Sequence, residues 1–335
     1  MLDSLHGATK KIFFREAIAR AVREEMMRDH RILLLGQDVG SFGGSYREFD
    51  GLFAAFGPAR VRDMPVAENA SIGIGAGAAA AGYRPIVTVT YMDFLMLGFD
   101  PLINYAAKLR YKTGGRLIAP MVVKTTTGAL GQGVAHSQCI EAWLMGVPGL
   151  NVVAPSTPAD AYGLMKTALR SGGPVVYIDH KRLFPLPGEV PVCECLIPFG
   201  QAVVRRRGCD VTITAHSFMV RVALEAAEWL EREGVSCEVI DLRSLAPLDM
   251  RTIIDSVSRT GALLTLEEGQ ITCGVGAEVA ARLWEAIGFR CWARVGALAA
   301  PVSSNPVLEA ACVPDARRLI EAVRKLLAER QVNSI

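Results

Sequence analysis

Between residues 32 and 178, short apolar runs rich in β-branched residues alternate with longer segments of helical period. The runs at 32–35, 86–91, 121–124, 152–153 and 175–178 have strand length and composition. Over 15–29, Ile18, Ala21, Val22 and Met26 recur at helical spacing with charges between them. Asp100-Pro101 reads as a helix start, because Asp caps and Pro suits the first helical position, and that helix ends near Gly114. Thr157-Pro158-Ala159-Asp160 reads as a capping box before a helix over 161–169. Strands alternating with helices imply an α/β fold with a doubly wound parallel sheet, covered by helices on both faces.

Four prolines, 185, 187, 191 and 198, then rule out a regular helix or a central strand. Beyond them, strand-like runs at 211–215, 236–240 and 262–266 alternate with helical patterns at 221–233, 275–287 and 315–329. The expected organisation is a first domain over 1–183, a proline-rich linker over 184–200 and a smaller α/β domain over 201–335. A chain of 335 residues, 51% hydrophobic, is long enough for two such cores. Its net charge of +2 is scattered over both signs, which argues against a nucleic-acid partner. No run approaches the ~20 apolar residues of a membrane span, and residues 1–11 lack the apolar core of an export signal, so the expected location is the cytoplasm. Of eight cysteines only Cys193 and Cys195 are close, as C-E-C, which is too tight for an ordinary zinc pair.

Two places in this frame can carry chemistry. Glu68 opens a segment, 70–82, made almost wholly of Gly, Ala, Ser and Ile. As a helix, that segment would let another backbone approach closely and hold an acid in its first turn, where the helix dipole favours negative charge. Gly73, Gly75 and Gly77 each cost about 1 kcal/mol of helix propensity relative to Ala, so close packing is expected at all three. The plain alternative is a buried core helix with a solvated acid at its start. Gly73-Ile74-Gly75-Ala76-Gly77 lacks the strand-turn frame of a dinucleotide site, and no P-loop, G-x-S-x-G or H-E-x-x-H occurs. The second place is His136, which follows a loop with glycines at 128, 131 and 133. A histidine there can move a proton near neutral pH, or it can be a structural hydrogen-bonding residue.

Several strings occur in one order: L-L-G-Q-D-V-G, R-D-M-P-V-A-E-N, Asp93-Phe94, A-A-K-L-R-Y-K-T-G-G, H-S-Q-C-I-E-A-W, V-P-G-L-N-V-V-A-P-S-T-P-A-D-A and D-H-K-R-L-F. Together with the stretch 241–249 and Glu267-Glu268-Gly269, they resemble the beta subunits of thiamine-diphosphate-dependent 2-oxo acid dehydrogenases of the pyruvate, branched-chain and acetoin types. The resemblance spans residues 12 to 327. It implies a transketolase-like pyrimidine-binding domain followed by a transketolase C-terminal-type domain. It also implies oxidative decarboxylation of a 2-oxo acid, pyruvate first, with acyl transfer to lipoyl; acetoin cleavage is the variant suggested by Thr125-Thr126-Thr127-Gly128.

In such a protein Glu68, preceded by Ala67, would hydrogen-bond the aminopyrimidine ring of thiamine diphosphate. Phe94 would pack on that ring, and His136 would orient or protonate the reacting group or the lipoyl group. The chemistry explains the acid: a carboxyl that donates to the pyrimidine favours the imino form that draws a proton from the thiazolium, and it must sit away from water to serve as a donor. The family's G-D-G motif for magnesium and the diphosphate is absent from this chain. The resemblance therefore implies an alpha subunit that holds Mg2+ in an α2β2 assembly, with this chain pairing with its own copy and docking on a lipoyl acyltransferase core. It also implies a potassium ion on backbone oxygens of the turn at Ala168, Ser171 and Gly173.

Four departures stand out. Gln37 replaces a common Glu. The loop before His136 is about one residue short and lacks the usual Gln before the histidine. Segment 301–306 replaces one with an aromatic-Ala pair, and the turn at 170–173 lacks its usual acid. Two rival readings follow, a non-catalytic assembly subunit and a self-contained transketolase-like enzyme.

Overall fold

The computed structural model describes residues 8–289 and 291–332. Residues 1–7, on which part of the export-signal reading rests, lie outside it. Contacts divide the chain into two units. One takes the residues up to Thr127 together with Trp143–Phe199, and the other takes Gly128–Ala142 together with the chain from Gly200 on.

In the first unit, β1 (Thr9–Phe13) leads into α1 (Phe14–Arg28) and β2 (Ile32–Gly36). After the short α2 (Leu52–Phe56) come β3 (Val61–Asp63), α3 (Glu68–Ala80) and β4 (Arg84–Val89). Helical turns then run from α4 (Met92–Leu95) through a 3₁₀ turn (Met96–Gly98) and a π-helical stretch (Asp100–Ala106) into α5 (Leu109–Lys112). This corrects the expected helix start at Asp100. The chain enters the helix at Met92, with Tyr91 in the capping position, and Asp100 lies inside the helical run. The strand expected to reach residue 91 ends at Val89.

The unit continues through β5 (Val122–Thr127), α6 (Glu141–Met145, whose first two residues belong to the second unit), β6 (Asn151–Val153), α7 (Pro158–Arg170) and β7 (Val175–His180). Its strands lie in the order β6-β7-β5-β4-β2-β3, and every pairing is parallel. The interior strands are buried on both faces; Ile86, Val87, Val123, Val176 and Ile178 are fully buried. Each such side chain contributes about 1.5–3 kcal/mol. α7 starts as expected, with Thr157 Oγ1 accepting from the Asp160 N–H at 3.2 Å. The prolines at 187 and 191 bound a strand, β8 (Pro187–Pro191), paired antiparallel with β1 in a separate two-stranded sheet. An edge position of this kind is where proline does least harm.

The glycines of α3 are not equivalent. A Cβ on Gly75 would stand 2.4 Å from Val87 Cγ2, so β4 and α3 touch only because that side chain is absent. Gly73 has only Pro101 nearby, at 3.8 Å, and Gly77 has open space. The close approach expected of all three is found at Gly75 alone.

In the second unit, β9 (Val203–Arg206), β10 (Val211–Ala215), α8 (Met219–Glu231), β11 (Cys237–Asp241), β12 (Ser244–Ala246) and α9 (Met250–Thr260) are followed by β13 (Leu263–Gln270), α10 (Val275–Ile287), β14 (Trp292–Ala297), α11 (Pro306–Cys312) and α12 (Ala316–Val332). A five-stranded sheet has the order β14-β13-β10-β11-β9, parallel except for β9. Its core joins Val211, Ile213 and Leu264 to Ala223 and Ala227 of α8 and to Leu319 and Val323 of α12. α12 thus buries one face. Among the described residues no helix is long and apolar enough to cross a membrane.

Candidate functional site

In an open parallel sheet, ligands bind beyond the carboxyl ends of the strands. Three residues singled out in the sequence follow the carboxyl ends of three adjacent strands: Gln37 follows β2, Glu68 follows β3 and Phe94 follows β4. Glu68 is the first residue of α3, after Ala67 in the capping position, and is 6% exposed. Its carboxylate Oε1 accepts from Gln37 Nε2 at 3.4 Å, a long contact. The loop after β2 is drawn to β3 by the Gly40 N–H donating to Asp63 Oδ1 at 2.7 Å. The first turn of α3 is tied to the helical run that carries Phe94, because Asn69 Nδ2 donates to the Leu97 carbonyl at 3.2 Å. Phe94 lies in the first turn of α4 and is partly buried. The structure therefore brings Gln37, Glu68 and Phe94 to one edge of one sheet. Val66 and Ile74, on and beside the outer face of α3, are exposed.

His136 belongs to the second unit. The loop that leaves β5 at Thr127 makes its contacts with the C-terminal unit until it re-enters the first unit at Trp143. Gly128, Gly131 and Gly133 have φ of 96°, 73° and 77°, conformations that favour glycine. The Ala129 N–H donates to Glu268 Oε1 at 2.7 Å, and the Gly131 N–H donates to Glu309 Oε2 at 2.6 Å. A Cβ on Gly133 would lie 3.3 Å from Ser304 Cβ. The His136 N–H donates to the Gly133 carbonyl at 3.2 Å. The loop before His136 and the segment 301–306, both singled out in the sequence, thus meet at Gly133 and Ser304. Asn305 in that segment caps α11 through Val307 and Leu308.

Glu267 is different from its neighbour. Its carboxylate accepts from the Val275 and Gly276 N–H groups at the start of α10, at 2.8 and 3.0 Å. Burial raises its carboxyl above the usual range, against the lowering effect of those two donors. Sequence reasoning marks Glu267-Glu268-Gly269 without a role for either acid, and it passes over Glu309. The partners of Glu268 and Glu309 lie 139 and 178 residues away in the chain, so no local pattern marks those two.

The turn expected to take potassium follows α7. Arg84 Nη1 donates to the Leu169 and Ser171 carbonyls, both at 2.9 Å, and the Ala168 carbonyl accepts from the Ser171 N–H at 3.1 Å. A guanidinium already engages the carbonyl of Ser171, one of the three residues expected to serve a potassium ion.

Residues 10–187 match the model of the transketolase pyrimidine-binding domain, and residues 200–319 match that of the transketolase C-terminal domain. The chain is 40% identical to the mitochondrial pyruvate dehydrogenase E1 component subunit beta of Bos taurus over 96% of its length and 92% of that protein's. It is 38% identical to the beta subunit of the acetoin:2,6-dichlorophenolindophenol oxidoreductase of Cupriavidus necator, over 95% and 98%. A solved structure described as a split-gene transketolase, an inactive β4 tetramer, superposes with a TM-score of 0.78 at 27% identity, over 95% of this chain and 98% of that one. With both domain types matched in order and relatives aligned over nearly their whole length, the chain belongs to the thiamine-diphosphate-dependent, transketolase-like family of 2-oxo acid dehydrogenase E1 beta subunits.

Proposed function

We propose that this chain supplies the pyrimidine half of a thiamine diphosphate site in a pyruvate-type dehydrogenase, and that an alpha subunit supplies the other half. The observation that carries this is the convergence of Gln37, Glu68 and Phe94 at the carboxyl ends of β2, β3 and β4, in a chain with no G-D-G motif. The residues fit the group. Glu68 is 6% exposed and meets Gln37 only at 3.4 Å, which leaves its carboxyl able to serve a ring nitrogen. When bound, thiamine diphosphate supplies the electron sink for decarboxylation. Glu68 holds a proton toward the pyrimidine ring, Ala67 lines its approach, and Phe94 offers an apolar face for that ring. Magnesium and the diphosphate fall to the alpha subunit, and the carbonyls already engaged at 168–173 lead us to assign potassium no step.

The second half of the reaction transfers the acyl group to a lipoyl disulfide on an acyltransferase core. The unit left by decarboxylation, at the aldehyde level, would be oxidised to the acyl level as it leaves the cofactor for one sulfur; the S–S bond, which is the oxidant, breaks, and the other sulfur takes up a proton. His136 is the residue of this chain that we assign to deliver or hold that proton. Acetoin as substrate is favoured by one observation, the Thr125-Thr126-Thr127-Gly128 string at the end of β5, and the two relatives differ too little in identity to decide.

The test is co-purification with the alpha subunit, followed by dye reduction with pyruvate, branched 2-oxo acids and acetoin. We expect an α2β2 complex that turns over pyruvate fastest. A complex that turns over none of them would contradict the enzymatic reading, and one that prefers acetoin would move the substrate assignment.

A further inference from the structure

The His136 loop begins at the end of a first-unit strand, yet it is held by the second unit. A glycine-rich loop loses much conformational freedom when it is ordered, so something must fix it if its histidine is to act at a defined place. Two carboxylates meet that need. Glu268 and Glu309 are 8% and 7% exposed, and each accepts a backbone N–H of the loop, from Ala129 and Gly131. Ionised acceptors of N–H groups are among the stronger hydrogen-bond partners. They come from the end of β13 and from α11, two separate elements, so the loop is fixed at two points rather than hinged at one. Around them the packing is close. A Cβ on Gly269 would stand 2.9 Å from the Cys139 carbonyl, and one on Gly133 would press on Ser304.

We propose that Glu268 and Glu309 are positioning residues for His136, which moor its loop to the C-terminal unit and so set the efficiency of acyl transfer. This rests on the reading of His136 given above.

The test uses the complex reconstituted with the alpha subunit. Hydrogen exchange over the peptide 128–140 reads the mooring directly, and acyl transfer to a lipoylated acceptor domain reads its consequence. In Glu309→Ala we expect exchange of this peptide to speed up about 10-fold or more and transfer to fall about 10- to 100-fold, through kcat rather than KM. Glu309→Gln keeps an acceptor oxygen and should return transfer to within about threefold of the parent. Glu268→Ala reads the other anchor and serves as the second variant should Glu309→Ala fail to assemble. Unchanged exchange in both alanine variants overturns the mooring. Faster exchange with undiminished transfer overturns the positioning role. If His136→Ala itself transfers normally while Glu309→Ala exchanges faster, the reading of His136 fails and the mooring stands as a feature of the loop alone.

Discussion

Glu68→Gln in the assembled complex should lower decarboxylation by about 10²- to 10³-fold, roughly 3–4 kcal/mol of transition-state stabilisation, while the complex still forms. The substitution keeps volume and shape at the first turn of α3. The carbonyl oxygen of the introduced amide can still accept from Gln37 Nε2, so the local contact at 3.4 Å is preserved. What the substitution removes is the acidic proton. An amide can donate a hydrogen bond to the pyrimidine, but it cannot hand over a proton at a useful rate. Steady-state dye reduction, with gel filtration to monitor assembly, separates the two effects. Parent-level turnover by Glu68→Gln would mean that α3 merely packs at this position and that the acid is an ordinary first-turn residue.

His136→Ala should fall most heavily on the second half of the reaction, with lipoyl acylation reduced about 10²-fold and dye-linked decarboxylation reduced less. The side chain is partly buried, and its loop is fixed through backbone groups on either side of Leu130. Truncation at Cβ therefore leaves the loop's anchors in place. The comparison of dye and lipoylated acceptor in one preparation is the deciding measurement. Unchanged rates with both acceptors would leave His136 a structural residue. Equal losses with both, accompanied by dissociation of the complex, would place it in assembly.

Much of this site is written in local sequence. The acid at the head of a small-residue helix is legible because a helix start and a polarity change coincide at Glu68. The strands are legible because both faces of the parallel sheet are buried, which makes each an apolar β-branched run. Other features depend on partners distant in the chain. Asp100-Pro101 has the chemistry of a helix start, but the run begins at Met92, and a π-helical register over Asp100–Ala106 carries the helix past the proline. The glycines at 73, 75 and 77 look alike in the sequence; Val87 on β4, with Met121 beside it, decides which one is needed. Glu268 and Glu309 are separated from the amides they hold by 139 and 178 residues, so neither carries a local sign of its role. The fold is thus encoded mainly by periodicity, and the anchoring of the 128–142 loop by tertiary contact.

The central claim is that this chain holds half of a cofactor site. Calorimetric titration of thiamine diphosphate with magnesium, into the chain alone and into the chain with its alpha subunit, tests it most directly. We predict binding at least about 100-fold tighter with the alpha subunit, a difference of about 2.7 kcal/mol or more, because the charged end of the cofactor finds no partner motif here. Equally tight binding by the chain alone would contradict the divided site.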